Sequence, residues 1–112
     1  MNENNDTAKR IVDVMYNNDP FSIWLGIERV EDAPGSSILK MVVRKEMLNG
    51  FGIAHGGICY ALADSALAFA SNAHGRKSVS VETSISHTLP VHEGDVLLTK
   101  VEEVSLTNNI GI

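Results

Sequence analysis

The residues able to do chemistry are concentrated between Asn49 and Asp64, where the sequence reads NGFGIAHGGICYALAD. A loop carrying Asn49 and His55 leads into the pair Gly56 and Gly57, and a run of small apolar residues follows. Asp64 is the only carboxylate between residues 53 and 73. Because an unpaired carboxylate is costly to bury, its presence in an apolar run indicates a chemical role for Asp64.

The apolar run predicts a buried helix from Gly56 to about Asn72, since its length and its Ala and Leu content favour helix over strand. The first turn of such a helix has free N–H groups and the positive end of the helix dipole. Glycine also lets a ligand approach the backbone closely. These features suit an anionic group bound at the start of the helix.

Helix geometry separates this N-terminus from the carboxylate. Asp64 follows Gly56 by eight residues, which is about 12 Å along a helix. A short side chain at Asp64 cannot cover that distance to reach a group bound at Gly56 of its own helix. Antiparallel helices related by a two-fold axis would instead bring Asp64 of one chain to Gly56 of the other.

The rest of the chain alternates between helical and strand patterns around this helix. Residues 8–16 have apolar side chains at helical spacing, and residues 79–89 alternate with the period of a half-buried strand. No strand–helix repeat indicates a parallel sheet, so we expect an α+β fold in which a curved antiparallel sheet wraps around one long helix. Residues 21–30 are expected to enter a strand, and a turn at 32–36 followed by a strand at 38–43 suggests a β-hairpin. A further strand is expected at 95–105, with a tight turn at 108–109.

Composition limits the possible functions. At 112 residues with 44% hydrophobic and 21% charged residues, the chain 1–112 is expected to be one globular domain. A net charge of −5 without a basic stripe argues against a nucleic-acid partner. Polar residues within 53–73 argue against a membrane span. The single Cys59 suggests a reducing, cytoplasmic compartment, and His74, His87 and His92 lack metal-ligand spacing, so no metal site is expected.

Four segments, in this order, resemble one known family. They are MLNG at 47–50, HGG at 55–57, ALAD at 61–64 and VSVETSISHTLPVHEGD at 79–95. The set is similar to the PaaI-type acyl-CoA thioesterases of phenylacetate degradation, which have the hotdog fold. The resemblance implies a cytoplasmic homodimer or a homotetramer built as a dimer of dimers, with active sites shared between chains. Family members continue through further strands, so the resemblance implies a domain shortened at its C-terminus.

The same resemblance assigns roles to individual residues. Gly56 resembles the residue whose backbone N–H polarises the thioester carbonyl, and Asp64 resembles the nucleophile or general base. Asn49 and His55 resemble the polar pair that positions the substrate or the attacking water, although an Asn-Gly pair is also typical of a turn. Two residues are expected to contact or assist the substrate, namely Gly57 and Ser80.

The implied activity is hydrolysis of an acyl-CoA, for example phenylacetyl-CoA or a hydroxylated aryl-acyl-CoA, to the free acid and CoA. No metal or organic cofactor is expected, since CoA enters as part of the substrate. A non-catalytic acyl-CoA-binding or sensor module on the same fold is the alternative, and a hotdog dehydratase is a third hypothesis. Asp64 favours the hydrolase, because a binding protein gains nothing from a desolvated carboxylate beside a thioester.

Overall fold

The computed structural model describes residues 3–112 and shows helices packed against an antiparallel sheet. The predicted first helix, β-hairpin, long helix and later strand are all confirmed. In chain order the elements are α1 (Glu3–Asn17), α2 (Pro20–Leu25), β1 (Glu28–Ala33), β2 (Ser36–Val42), a 3₁₀ turn (Lys45–Met47), α3 (Gly56–Asn72) and β3 (Val96–Glu102).

The sheet has the order β1-β2-β3, and both neighbouring pairs are antiparallel. At the middle of β2, Leu39 pairs with Arg29 on one side and with Thr99 on the other. The register of β1 shifts between Arg29 and Glu31, as in a β-bulge. Helix α3 packs on β2 and β3, so the sheet supports the helix that carries the candidate site.

The core forms where alternate residues of β2 meet one side of α3. Leu39 and Met41 are buried on the sheet, and Leu62, Ala66 and Phe69 are buried on the helix. The strand period of two and the helix period of 3.6 residues bring these side chains to a common layer. The whole buried cluster consists of Ala8, Val12, Leu25, Ile27, Leu39, Met41, Val43, Met47, Ala54, Leu62, Ala66, Phe69 and Ala73.

The predicted entry into a strand from Phe21 is wrong, because the chain first forms α2. Asp19 caps this helix by accepting hydrogen bonds from the Ser22 backbone N–H (3.0 Å) and from Ser22 Oγ (2.6 Å). Pro20 suits the first helical position, where its missing N–H is not needed. The helix ends at Gly26, which has φ +73°. The local capping residues therefore outweigh the apolar pattern at 21–25.

The predicted strand at 79–89 is also wrong, since these residues belong to no strand of the sheet. They lie beside α3, where Asn72 exchanges hydrogen bonds with the Ser78 backbone and Tyr60 bonds Thr83 through their hydroxyls. A period of two specifies which side chains share a face, but a strand also needs a neighbour for its backbone. Among residues 3–112, no strand lies alongside 79–89 to provide one.

The turn predicted at Asn108 and Asn109 is confirmed. The Thr107 N–H donates to the Ile110 carbonyl at 2.8 Å, and the Ile112 N–H donates to the Ser105 carbonyl at 2.7 Å. The chain therefore folds back on itself after β3. None of the helices within residues 3–112 is both long enough and apolar enough for a bilayer crossing.

Candidate active site

Hydrogen bonds of the Asn49 side chain and of the backbone stabilise the loop before α3. The Asn49 side-chain oxygen accepts hydrogen bonds from the N–H groups of Phe51 (2.9 Å) and Ile53 (3.3 Å). The Ala54 N–H donates to the Val91 carbonyl at 2.7 Å, which ties this loop to the segment after 79–89. Asn49 therefore acts as a turn residue here, and its side-chain nitrogen forms no hydrogen bond within residues 3–112.

His55 is the N-cap of α3. Its Nδ1 accepts a hydrogen bond from the Gly57 N–H at 3.1 Å, and its carbonyl accepts one from the Ile58 N–H at 2.9 Å. The N–H groups of Gly57 and Ile58 are among those that a helix N-terminus leaves without an intrahelical partner. The structure thus gives His55 a capping role, and it occupies the N–H of Gly57.

Unlike the N–H groups of Gly57 and Ile58, the N–H of Gly56 has no hydrogen-bond acceptor within residues 3–112. Gly56 lines a cavity of about 340 Å³ at the start of α3. We call this space the Gly56 cavity, and its other walls include Asn49, Ile53, Cys59, His87 and Leu89. A donor at the positive end of a helix and beside a cavity suits a carbonyl oxygen on which negative charge develops.

Asp64 is exposed in the structure, so the expectation that it is buried within an apolar helix is wrong. Successive residues of a helix are rotated by about 100°, and this places Asp64 roughly opposite the face formed by Leu62, Ala66 and Phe69. Asp64 lines a second cavity of about 160 Å³, the Asp64 cavity, together with Tyr60, Leu67, Thr83 and Ile85. Its carboxylate makes no hydrogen bond or ion pair within residues 3–112.

Gly56 and Asp64 are not brought together within one chain. Helix α3 runs without interruption through both residues, and their spacing along its axis is about 12 Å. The Gly56 cavity does not include Asp64, and the Asp64 cavity does not include Gly56. The helix is not unwound between Gly56 and Asp64, so unwinding does not bring the two groups into one cavity.

The remaining predicted positions lie outside these cavities. Ser80 is exposed and lines neither of them, so its assisting role stays a prediction. Gly57 is also exposed, and its N–H is bonded to His55. No group of three or more His, Cys, Asp or Glu side chains suited to a metal ion occurs within the described part of the chain.

The structure adds His87 to the site, a residue that the sequence analysis considered only as a metal ligand. His87 lines the Gly56 cavity, with its ring against Gly56. The signal was present in the sequence, because His87 shares its parity with Ile85 and Leu89 on the apolar face of the 79–89 pattern. Thr83, which has the same parity, contacts Tyr60 of α3 through their hydroxyls.

A family model described as the thioesterase superfamily matches residues 51–111, which include all of α3 and β3. The chain belongs to the thioesterase superfamily. The matched residues include Gly56 with its free N–H, Asp64 and every residue that lines the two cavities except Asn49.

Individual relatives agree with this assignment. A putative esterase of Archaeoglobus fulgidus is 40% identical over 101 residues, covering 90% of this chain and 66% of the relative. The acyl-coenzyme A thioesterase PaaI of Escherichia coli is 37% identical over 83 residues, covering 74% of this chain and 59% of PaaI. The chain thus spans less than two thirds of the length of either relative.

Solved structures give the fold. The E. coli PaaI protein from the phenylacetic acid degradation operon superposes with a TM-score of 0.93 at 31% identity, covering 96% of this chain and 78% of that one. A Streptococcus mutans protein bound to acetyl-CoA gives 0.71 at 28% identity, covering 73% and 66%. The expected PaaI-type hotdog fold is therefore confirmed for this member of the thioesterase superfamily.

Cys59 offers a chemical probe of the Gly56 cavity, which it lines. Burial raises the pKa of its thiol above the ordinary value, so the thiol stays protonated at neutral pH and less of the reactive thiolate is present. We expect iodoacetamide to alkylate Cys59 more slowly than a free thiol at pH 7.5, with a rate that rises with pH. A bound acyl-CoA should slow the reaction further, as measured by mass spectrometry. Alkylation as fast as that of free cysteine, unaffected by ligand, would contradict this placement.

Proposed function

We propose that this chain hydrolyses acyl-CoA thioesters to a free acid and CoA. The observation that carries the proposal is the unpartnered N–H of Gly56, at the N-terminus of a continuous helix and beside a cavity, in a chain of the thioesterase superfamily. The E. coli relative is named as an acyl-CoA thioesterase, and the S. mutans structure contains acetyl-CoA. Both names support an acyl-CoA as the ligand class.

The chemistry begins with the thioester carbonyl oxygen at the Gly56 N–H. This hydrogen bond and the helix dipole lower the barrier to attack on the carbonyl carbon, because they stabilise the negative charge that forms on the oxygen. No metal or organic cofactor is required for this polarisation, since the backbone supplies it.

The attacking group is supplied through Asp64. As a general base, its carboxylate takes a proton from water while the water oxygen bonds to the carbonyl carbon and negative charge moves to the carbonyl oxygen. The carbonyl then re-forms as the carbon–sulfur bond breaks and CoA leaves as the thiolate. As a nucleophile, it forms a mixed anhydride with release of CoA thiolate, and water then hydrolyses the anhydride. Both routes end with the acid and CoA.

The two groups meet when two copies of the chain associate. Asp64 is exposed on the face of α3 that points away from the sheet, and nearby apolar side chains of 79–89 are exposed as well, including Val79 (81%) and Val81 (90%). Covering these apolar side chains would stabilise an assembly. We infer a homodimer, alone or as half of a homotetramer, with Asp64 of one protomer facing Gly56 of its partner.

The acyl group is inferred to be aromatic. The walls of the Gly56 cavity include Ile53, Leu89, Pro90 and Val91, which suit an apolar ring. The E. coli protein that superposes on this chain comes from the phenylacetic acid degradation operon. Phenylacetyl-CoA and hydroxylated aryl-acyl-CoAs are therefore the first substrates to test.

The testing experiment is a hydrolysis screen over aryl-acyl, short-chain and medium-chain CoA esters, with the released thiol measured by a colorimetric reagent. We expect turnover of at least one aryl-acyl ester that is proportional to protein concentration. If every ester binds and none is cleaved, the chain is an acyl-CoA-binding or sensor module instead.

Gly56→Ala should damage turnover more than folding in the same assay. A Cβ at this position would lie 3.2 Å from His87 Nε2, so it would crowd the space in which the carbonyl oxygen must approach the backbone. We expect kcat/KM to fall by roughly an order of magnitude or more, given the usual value of one oxyanion donor, while the thermal midpoint changes little. Gly50→Ala is the matched control, because a Cβ there meets nothing within 4 Å. A destabilised variant with unchanged turnover per folded molecule would instead indicate a packing role.

A further inference from the structure

The ring of His87 stands against the N-terminus of α3. The nearest ring atom to a Cβ built on Gly56 is Nε2 at 3.2 Å, ahead of Cε1 at 3.5 Å and Cδ2 at 3.7 Å. His87 also lines the cavity beside the free Gly56 N–H. Its ring forms no hydrogen bond or ion pair within residues 3–112, so Nε2 is available to a ligand.

Standard bond lengths and angles limit the distance between His87 Nε2 and the backbone nitrogen of Gly56. A Cβ lies about 2.5 Å from the backbone nitrogen of its own residue, given standard bond lengths and angles. His87 Nε2 is therefore no more than roughly 5.7 Å from the Gly56 nitrogen, given its 3.2 Å separation from that Cβ. One oxygen atom at about 2.9 Å from each nitrogen can bridge a gap of that size.

The neighbouring contacts fix His87 at this end of α3. The segment that carries it runs antiparallel to the helix, with Ser78 bonded to Asn72 and Thr83 bonded to Tyr60. On the other side of His87, the Val91 carbonyl accepts the N–H of Ala54 from the loop before the helix. The segment that carries His87 is thus anchored on both sides of this residue, which places its exposed side chain at the N-terminus of α3.

From this arrangement we propose that His87 Nε2–H is a second hydrogen-bond donor to the thioester carbonyl oxygen, alongside the N–H of Gly56 in the same chain. The inference rests on the proposed function and assigns one catalytic residue within it. The donor needs no proton transfer, since a neutral imidazole protonated at Nε2 already carries the required hydrogen. His55 has a different task, because its Nδ1 accepts from Gly57.

Substitutions at His87 separate a donor from a space-filling ring. His87→Phe keeps a ring but removes the donor, so kcat should fall roughly a hundredfold, the usual effect of one oxyanion donor, with a smaller change in KM. His87→Gln keeps an amide donor and should retain more of the rate than the Phe variant. His92→Phe is the control, since His92 follows in the same segment and lines neither cavity. Equal kcat for wild type and both His87 variants would overturn the proposal.

A spectroscopic measurement tests His87 without turnover. The ligand is a non-hydrolysable phenylacetyl-CoA analogue in which CH₂ replaces sulfur and the ketone carbonyl carries ¹³C. Hydrogen bonds to the oxygen lower the carbonyl stretching frequency, so the bound frequency in His87→Phe should lie above that in wild type. An unchanged frequency in His87→Phe would refute the donor role. If wild type hydrolyses no acyl-CoA, the proposed function fails, and the carbonyl frequency still decides whether His87 contacts the carbonyl.

Discussion

Replacing Asp64 by Ala should lower kcat by at least two orders of magnitude, which is the usual size of a general-base or nucleophilic contribution. The exposed carboxylate makes no hydrogen bond or ion pair within residues 3–112 and lies on the side of α3 away from the core. Its removal should therefore leave the fold intact. Steady-state thiol release, with circular dichroism as the folding check, measures both effects.

Two further variants sharpen the result for Asp64. Asp64→Asn keeps the shape but removes the charge, and we expect nearly the same loss of kcat. Glu93→Ala removes another exposed carboxylate, in the turn before β3, and should leave kcat unchanged. A rate above roughly a tenth of wild type in either Asp64 variant would show that this carboxylate is not the catalytic group.

Mixing two inactive variants should restore activity. Asp64→Ala lacks the carboxylate, and Gly56→Val blocks the approach to the helix N-terminus. In a mixed dimer one of the two sites combines an intact Gly56 with an intact Asp64 from the other protomer. Random exchange of equal amounts therefore predicts roughly a quarter of wild-type activity under two-fold symmetry.

The same design distinguishes shared from separate sites. Subunit exchange is measured by co-purification of differently tagged chains, and activity is read from the same sample. Exchange with activity at background would refute the shared site. A third variant, His87→Phe, tests whether His87 and Gly56 serve the same site from one chain. If they do, mixing His87→Phe with Asp64→Ala should recover activity, and mixing it with Gly56→Val should recover none.

The sequence predicts the parts of the fold that local patterns determine. Helix α3 runs from Gly56 to Asn72 as expected, since its small apolar residues follow a glycine pair, and β1 and β2 form the expected hairpin. The free N–H of Gly56 also follows from local geometry, because a helix N-terminus always leaves such groups. These features depend on residues close together in the chain.

Where the sequence misleads, the outcome depends on neighbours that a pattern does not show. Residues 79–89 alternate like a strand, yet no strand lies beside them in the described chain to accept their hydrogen bonds. Asp64 lies in an apolar run, but that run contributes to both faces of α3 and only one face meets the sheet. His87 enters the site through its packing against Gly56, a contact between residues far apart in sequence.

Hydrolysis of acyl-CoA by this chain is tested most directly by incubating it with phenylacetyl-CoA and the other aryl-acyl esters in ¹⁸O-labelled water and quantifying thiol and acid together. Hydrolysis predicts equal amounts of CoA and acid from at least one ester, one ¹⁸O atom in each acid released, and loss of both products in Asp64→Ala. Tight binding of these esters by the wild-type chain with no release of CoA would show that the chain binds acyl-CoA without hydrolysing it.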